Sequence, residues 1–389
     1  MFSANSKSLN TFALLVFAAT TLAMLASAQD NGVLKLISLG TDILIIVYAL
    51  SIVGIKTLII SATKPIILLC IIILCANFTL SPYEPRFSLL IKYIGYFIIF
   101  LLGKVLAERG CLLSCGKIPL AILIFSPLLI VALLDRSDAK TTFFANSNVF
   151  VYVGLCSSLF YLCVRGANSK VGYVTALILL SYILTGTSLG VVVAVAGSFI
   201  VLSIKRVNVF MLVSFFALFV LFVLYSDVSV AVRIRDTLAV YKALDWNDWA
   251  HLSDVNFYEL QQHVGANGIR EDNTSSLWRI VQWIGLITEY IASPFNIPFG
   301  LGADYSIYKT GLPPHNDHIL VLVEYGAIVY GALFYGLIKV YRRLKDYNVF
   351  YLILAIVFYH FTENLLDTFP PNCLFYFVLG YSYYSAIYK

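Results

Sequence analysis

Charged residues are scarce in this chain. Only 12% of its 389 residues are Asp, Glu, Lys or Arg, about half the share of a soluble domain, whereas 60% are hydrophobic and the mean hydropathy is +0.87. A water-soluble fold has too little interior to bury this much apolar surface, so the lipid bilayer must be the solvent. We expect no nucleic-acid partner.

Metal ligands and a disulfide framework are also lacking. The chain has three Met and no acidic cluster, and its seven Cys lie in apolar runs or short connections. Cys111 and Cys115 are too isolated to indicate a metal site. We therefore expect no metal, no cofactor and no disulfide framework.

Continuous apolar runs of about 18 to 22 residues, the length of a membrane-spanning helix, fill most of the sequence. They predict an all-α polytopic integral membrane protein with about 12 transmembrane helices, at residues 11–28, 33–54, 65–80, 87–107, 118–134, 148–165, 171–186, 190–204, 208–225, 315–338, 349–365 and 371–387. Residues 1–28 also resemble a signal peptide. Because their apolar part is long enough to cross a bilayer, we expect it to remain as the first helix.

The connections between these helices are basic on one side only. With the N-terminus in the cytoplasm, the short cytoplasmic connections hold 15 of the 26 Lys and Arg residues but only two of the 21 Asp and Glu residues. This bias agrees with the positive-inside rule. It predicts cytoplasmic N- and C-termini, transmembrane helices in residues 1–225 and 315–389, and one large outer loop at residues 226–314.

The outer loop has a distinct composition. All four Trp of the chain lie in it, together with Arg233, Arg235 and Arg270. Aromatic faces stack on sugars and guanidinium groups bind phosphate oxygens in pairs, although Trp also gathers at membrane interfaces. The loop is therefore a candidate binding region for a sugar or a phosphate.

Residues 275–291 form a predicted amphipathic helix within this loop. Its polar stripe contains Arg279, Gln282 and Glu289 and would point towards one place from the membrane surface. An interfacial arginine can equally extend to lipid head groups. The Pro- and Gly-rich residues 294–302 follow, and they predict an irregular turn whose free amides would suit an anion.

A polar cluster opens the apolar run after the loop. It comprises His315, Asn316, Asp317 and His318. One Asn or Asp would suffice as a helix N-cap, but that role does not account for two of the five histidines. We predict a functional site here. Glu363, at the outer end of the predicted helix 349–365, would orient His315 or an arginine, or would be a solvated loop residue.

These pieces occur in a recognisable order. An Arg-x-x-x-Trp helix precedes a Pro-x-Gly-x-Gly turn, and a His-Asn pair then opens a helix that contains a glutamate. The residues of these motifs are Arg279, Trp283, Pro298, Gly300, Gly302, His315, Asn316 and Glu324. The order resembles the O-antigen polymerase/ligase superfamily of bacterial inner-membrane proteins, which contains the Wzy-type O-antigen polymerases and the WaaL-type O-antigen ligases. The motif resemblance covers residues 275–335. One departure is the break at residues 185–190, which lacks the arginine that family members often carry.

The resemblance implies a GT-C-like membrane-embedded glycosyltransferase that uses a glycan on undecaprenyl diphosphate at the periplasmic face, without a metal and with inversion. It implies His315 as the catalytic base and Arg279 as the group that stabilises the leaving diphosphate. Its implied substrate-binding residues are Arg233, Arg235, Arg270, Asn316, Asp317, His318, Trp283, Glu324 and Glu363. Its candidate partners, besides lipid-linked oligosaccharides and membrane lipid, are a chain-length-determinant protein and a flippase.

Four functions stay open at this point. We favour an O-antigen polymerase, which joins lipid-linked repeat units, over an O-antigen ligase, which transfers the glycan to lipid A-core. A flippase or other transporter should line a path with polar residues at mid-membrane depth. The sequence offers few there, mainly Asp42, Lys92 and His360. A structural membrane scaffold is the fourth alternative.

Overall fold

The computed structural model describes residues 4–29, 32–110, 113, 115–134, 147–165, 275–344 and 348–387, with isolated positions between 171 and 238. Every regular element in these ranges is a helix, which confirms the predicted all-α class. The helices are α1 (Ala4–Gln29), α2 (Gly32–Val53), α3 (Ile55–Ala62), α4 (Pro65–Thr79), α5 (Phe87–Glu108), α6 (Lys117–Leu134), α7 (Ser147–Arg165), α8 (Ser275–Ile291), α9 (Asn296–Phe299), α10 (Tyr305–Thr310), α11 (Asp317–Leu344), α12 (Asn348–Tyr359) and α13 (Phe369–Ser385).

Four of the described helices are long and apolar enough to cross a membrane. They are Ser8–Ala26 within α1, α2, α5 and α11. The pair α3 and α4 makes a fifth if its two arms are one span. These helices identify a multi-pass membrane protein. The described residues thus contain fewer such spans than the predicted twelve, and three predicted helices, at 171–186, 190–204 and 208–225, lie outside them except for isolated positions.

The predicted helix at 65–80 agrees with α4, but the sequence analysis predicted neither the short helix α3 before it nor the bend between the two. The two arms meet at 91°. Pro65 occupies the first turn of α4, and Lys64 before it has the extended conformation that a following proline favours. The helix therefore cannot run on from Ala62, and the pair forms a broken span or a re-entrant loop.

The core of the bundle lies where α5 and α13 cross. A Cβ on Gly103 of α5 would overlap the backbone of Phe377 and Tyr381, and a Cβ on Gly380 of α13 would overlap Phe100. Small residues let two membrane helices approach this closely. Helix α1 belongs to the same core, because Phe12 is buried and its ring lies 5.2 Å from that of Phe377.

The bundle has two distinct ends. At one end, which we call the basic end, the amide of Gly116 donates to Asn10 at 2.7 Å, and Arg343 lies over the ring of Tyr383. The other end, which we call the loop end, contains residues 80–86, 292–316 and 360–368. The first residues of α1 and the last residues of α13 therefore share the basic end, and the candidate site lies at the loop end.

Candidate active site

A short irregular segment, residues 360–368, forms one wall of the candidate site. The sequence predicts helix through residue 365, but α12 ends at Tyr359, so this boundary was wrong. After Tyr359 the amides of Phe361 and Thr362 bond to the carbonyls three residues before them instead of four. The carboxylate of Asp317 then accepts the amides of Leu365 at 2.8 Å and Leu366 at 3.1 Å and a hydrogen bond from His360 Nδ1, so this part of the segment is bonded to a side chain.

Glu363 is the centre of the site. Its side chain is only 2% exposed, and it contacts both of the residues for which catalytic roles are implied. Oε1 accepts a hydrogen bond from Arg279 Nη2 at 3.2 Å, and Oε2 lies 3.3 Å from His315 Nδ1. Arg279 Nη1 also donates to the carbonyl of Thr362 at 3.1 Å. The structure therefore brings together an imidazole, a guanidinium group and a carboxylate from three separate parts of the sequence.

His315 is held in position by its own backbone and by two tryptophans. Its φ of 47° is in the left-handed region, which few non-glycine residues adopt. The indole of Trp283 donates to the carbonyl of Pro314, and the ring of Trp278 meets the imidazole edge-on at 6.0 Å. The His315 side chain is 25% exposed, so the site is partly open to solvent.

Helix α8 supplies Arg279 but does not aim its whole polar stripe at one place, contrary to the sequence interpretation. Gln282 donates to Thr310 at 2.7 Å and to the carbonyl of Leu312 at 2.9 Å. Glu289 pairs with Lys309 at 2.7 Å, and this hydrogen bond raises the pKa of the Lys309 ammonium group. Of the three stripe residues, only Arg279 contacts Glu363.

In the turn at residues 298–302, the amides of Gly300, Leu301 and Gly302 are hydrogen-bonded within the fold and are not available to an anion, contrary to the sequence interpretation. Helix α11 is interrupted at Gly326, whose φ is 84° and ψ 171°. The amide of Leu301 donates to the carbonyl of Val323 at 2.8 Å, and that of Gly302 donates to the carbonyl of Glu324 at 3.2 Å. The amide of Gly300 is used within the turn. The turn thus satisfies carbonyls near the break in α11.

Several predicted binding residues lie in internal contacts of the fold. Glu324 is 1% exposed, and its carboxylate accepts the amides of Asp304 at 3.0 Å and Ser306 at 3.1 Å. Asn316 caps α11 by accepting the amides of His318 and Ile319. Asp317 organises the 360–368 segment, and the ring of His318 stacks on that of Phe361 at 3.7 Å.

Of the three predicted loop arginines, the structure describes one. Arg235 donates to the carbonyl of Leu224 at 2.9 Å. Arg233 and Arg270 lie outside the described residues. The sequence interpretation did not assign a role to Trp278, although its place one residue before Arg279 on α8 is a local signal that would have found it.

Among the described residues, no group of three or more His, Cys, Asp or Glu side chains is arranged to hold a metal ion.

The arrangement suits proton transfer beside a negatively charged group. A hydrogen bond from Nδ1 of His315 to Glu363 fixes the tautomer in which Nε2 carries the lone pair, and Glu363 stabilises the imidazolium once Nε2 takes a proton. The Arg279 guanidinium group uses only part of its five donors on Thr362 and Glu363. It retains donors for an anion on the partly exposed side of the site.

No protein-family model matches this chain, and no curated protein matches it in a sequence comparison. A function for the chain therefore depends on the geometry of the site and on the order of its motifs.

Proposed function

We propose that this chain is an O-antigen polymerase, a membrane-embedded glycosyltransferase that joins lipid-linked repeat units of a surface polysaccharide. The observation that carries the proposal is that Glu363 contacts both His315 and Arg279 at one end of a membrane bundle. A base beside a guanidinium group is what a sugar hydroxyl and a lipid diphosphate each need during glycosyl transfer. The order of motifs that resembles the polymerase/ligase superfamily agrees with this chemistry.

The reaction we propose is a single displacement. The acceptor hydroxyl oxygen forms a bond to the anomeric carbon of the donor glycan as the bond from that carbon to the diphosphate oxygen breaks. The hydroxyl proton passes to Nε2 of His315, and the bonding electron pair leaves with undecaprenyl diphosphate. Glu363 stabilises the imidazolium, and Arg279 stabilises the negative charge that develops on the leaving diphosphate. Attack from the face opposite the leaving group inverts the anomeric centre.

The proposed location is the bacterial inner membrane, with the loop end at the periplasmic face and both termini in the cytoplasm. The bias of basic residues supports this orientation. We expect the lipid of the substrate to remain in the bilayer while its sugars extend into the periplasm. The acceptor is the terminal sugar of a second lipid-linked repeat unit.

The test is a lipopolysaccharide gel from a strain in which the gene is deleted and then complemented. We expect wild type to restore the ladder, and we expect Arg279→Ala, His315→Ala and Glu363→Gln to leave core with a single repeat unit. Removal of a group that acts in the transition state commonly lowers the rate by about 10² to 10⁴. Immunoblots must show each variant in the membrane at the wild-type amount.

Lys309→Met is the matched control at the same end of the bundle. It removes a cation that is half-exposed and pairs only with Glu289 among the contacts described above, so we expect a full ladder. Bare core, with polymer retained on the lipid carrier, would show a ligase with the same site chemistry. An unchanged ladder in the deletion strain would exclude both activities.

A further inference from the structure

The position of the 360–368 segment determines the geometry of the candidate site. This segment contributes two groups to the site, the carboxylate of Glu363 and the carbonyl of Thr362, and together they make both contacts of Arg279 described here and the contact of His315 Nδ1. The segment is irregular, so it has no helical hydrogen-bond ladder to fix it. Whatever anchors it therefore fixes the distance between the base and the guanidinium group.

The inner anchor of the segment is the carboxylate of Asp317, to which Tyr96 and Asn372 add hydrogen bonds to backbone carbonyls of the segment. This carboxylate is 3% exposed and accepts the amides of Leu365 and Leu366. It holds the second half of the segment against the start of α11. Because Asp317 is buried, its substitution would disturb folding. A variant at Asp317 therefore could not distinguish a change in the position of the segment from a loss of protein stability.

The outer anchor is Asp367, at the other end of the segment. Lys92 Nζ from α5 contacts its Oδ1 at 2.5 Å and its backbone carbonyl at 2.7 Å, and Arg86 Nη1 contacts its Oδ2 at 3.1 Å. Burial alone would raise the pKa of Asp367, but the charges of Lys92 and Arg86 and their hydrogen bonds hold it below its ordinary value. Asp367 is therefore a charged and doubly paired residue, although its side chain is 36% exposed.

Arg86 connects this anchor to the turn that supports α11. Its Nε and Nη2 contact Asp304 Oδ1 at 3.0 and 2.8 Å, and its own amide donates to Asp304 Oδ2 at 2.6 Å. The amide of Asp304 in turn donates to Glu324. One arginine thus joins the 360–368 segment to the region that packs against the break in α11.

We propose that Asp367, held by Lys92 and Arg86, is a positioning residue that sets Glu363 against Arg279 and His315. This inference rests on the proposed function. Asp367 lies four residues after Glu363, and its ion pairs are with Lys92 and Arg86 and not with Arg279 or His315, so it acts through the segment and not on the substrate. Neutralising Asp367 would not alter the three site residues themselves, but it would make the distances from Glu363 to Arg279 and His315 more variable.

The first experiment measures polymerisation rates of the purified full chain in nanodiscs with lipid-linked repeat units extracted from the deletion strain. We expect Asp367→Asn to lower the rate about tenfold or more, and Asp367→Glu to recover part of the loss. In a Glu363→Gln background, Asp367→Asn should lower the rate by less than about twofold, because both changes act through one group. Losses that multiply instead would mean that Asp367 does not act through Glu363, and would overturn the proposal.

The second experiment needs no sugar chemistry. Hydrogen exchange of a peptide spanning residues 360–368 should be faster in Asp367→Asn than in wild type. Glu108→Gln, which breaks the Lys104–Glu108 pair at the basic end, is the matched control and should change neither exchange nor rate. Unchanged exchange in Asp367→Asn would overturn the anchor. Faster exchange together with full activity of Glu363→Gln would refute the proposed function, and with it the catalytic role of the anchor.

Discussion

The close contact between the 298–302 turn and the break in α11 gives the sharpest test of this fold. The change is Gly326→Ala. An alanine there must adopt a φ of 84° and a ψ of 171°, a conformation that costs a non-glycine residue about 1–3 kcal/mol. Its Cβ would also overlap backbone atoms of Pro298, Phe299 and Gly300, which cannot move aside as a flexible side chain would.

The overlap adds a second loss. Relief of the overlap must separate the turn from α11 and weaken the hydrogen bonds from Leu301 to Val323 and from Gly302 to Glu324. A buried polar group left without its partner costs about 1–3 kcal/mol. The two effects together place the destabilisation at roughly 2–6 kcal/mol.

The control is Gly331→Ala in the same helix. Gly331 is exposed, and a Cβ there meets nothing within 4 Å. Alanine should therefore stabilise this position by about 0.5–1 kcal/mol, because glycine loses more backbone freedom on forming a helix. The assay is thermal unfolding of the purified full chain in detergent, followed by size-exclusion chromatography. If Gly326→Ala melts with wild type, or if both variants melt together, the break at residue 326 does not exist.

Two further variants test the surroundings of the site. Asp367→Asn should lower Tm at neutral pH, and the difference in Tm from wild type should shrink as the pH falls below about 4. The reason is that a carboxyl group whose pKa is depressed in the folded state stabilises the fold above its unfolded pKa, and protonation removes that contribution. A difference that stays constant from pH 6 to pH 3 would contradict the ion pairing. Trp283→Phe keeps an aromatic ring but removes the hydrogen bond to the Pro314 carbonyl. It should lower stability by about 1 kcal/mol and reduce polymerisation by displacing His315, whereas a wild-type rate and Tm would show that this bond does not hold the histidine.

The long helices could be predicted because their cause is local. A continuous apolar run needs only a bilayer to form a helix, so the predicted 33–54 and 87–107 agree with α2 and α5 to within a residue. The bend between α3 and α4 left a local signal in Pro65, but that residue indicates only where α4 begins and not the 91° angle between the two helices. The irregular path after α12 involves the Asp317 carboxylate, which is distant in sequence and accepts the amides of Leu365 and Leu366.

The candidate site was predictable in its residue types and not in their roles. The sequence placed His315, Arg279 and Glu363 among the candidates because their chemistry is unusual in an apolar chain. It also placed Glu324 and Asp317 there, and both accept backbone amides in the structure. A linear sequence does not tell whether a carboxylate faces a substrate or a backbone amide. The answer depends on which backbone amides lack another acceptor in the folded chain.

The contact between Glu324 and the amides of Asp304 and Ser306 has a consequence for how the chain enters the membrane. A carboxylate opposes the partition of a nascent helix from the translocon into lipid. The two amides that donate to this carboxylate precede it by 20 and 18 residues, so they leave the ribosome first. By the time α11 reaches the lateral gate, its partner segment has been synthesised and can dock against it. The order of synthesis therefore allows an acidic, interrupted helix to insert as part of a pair.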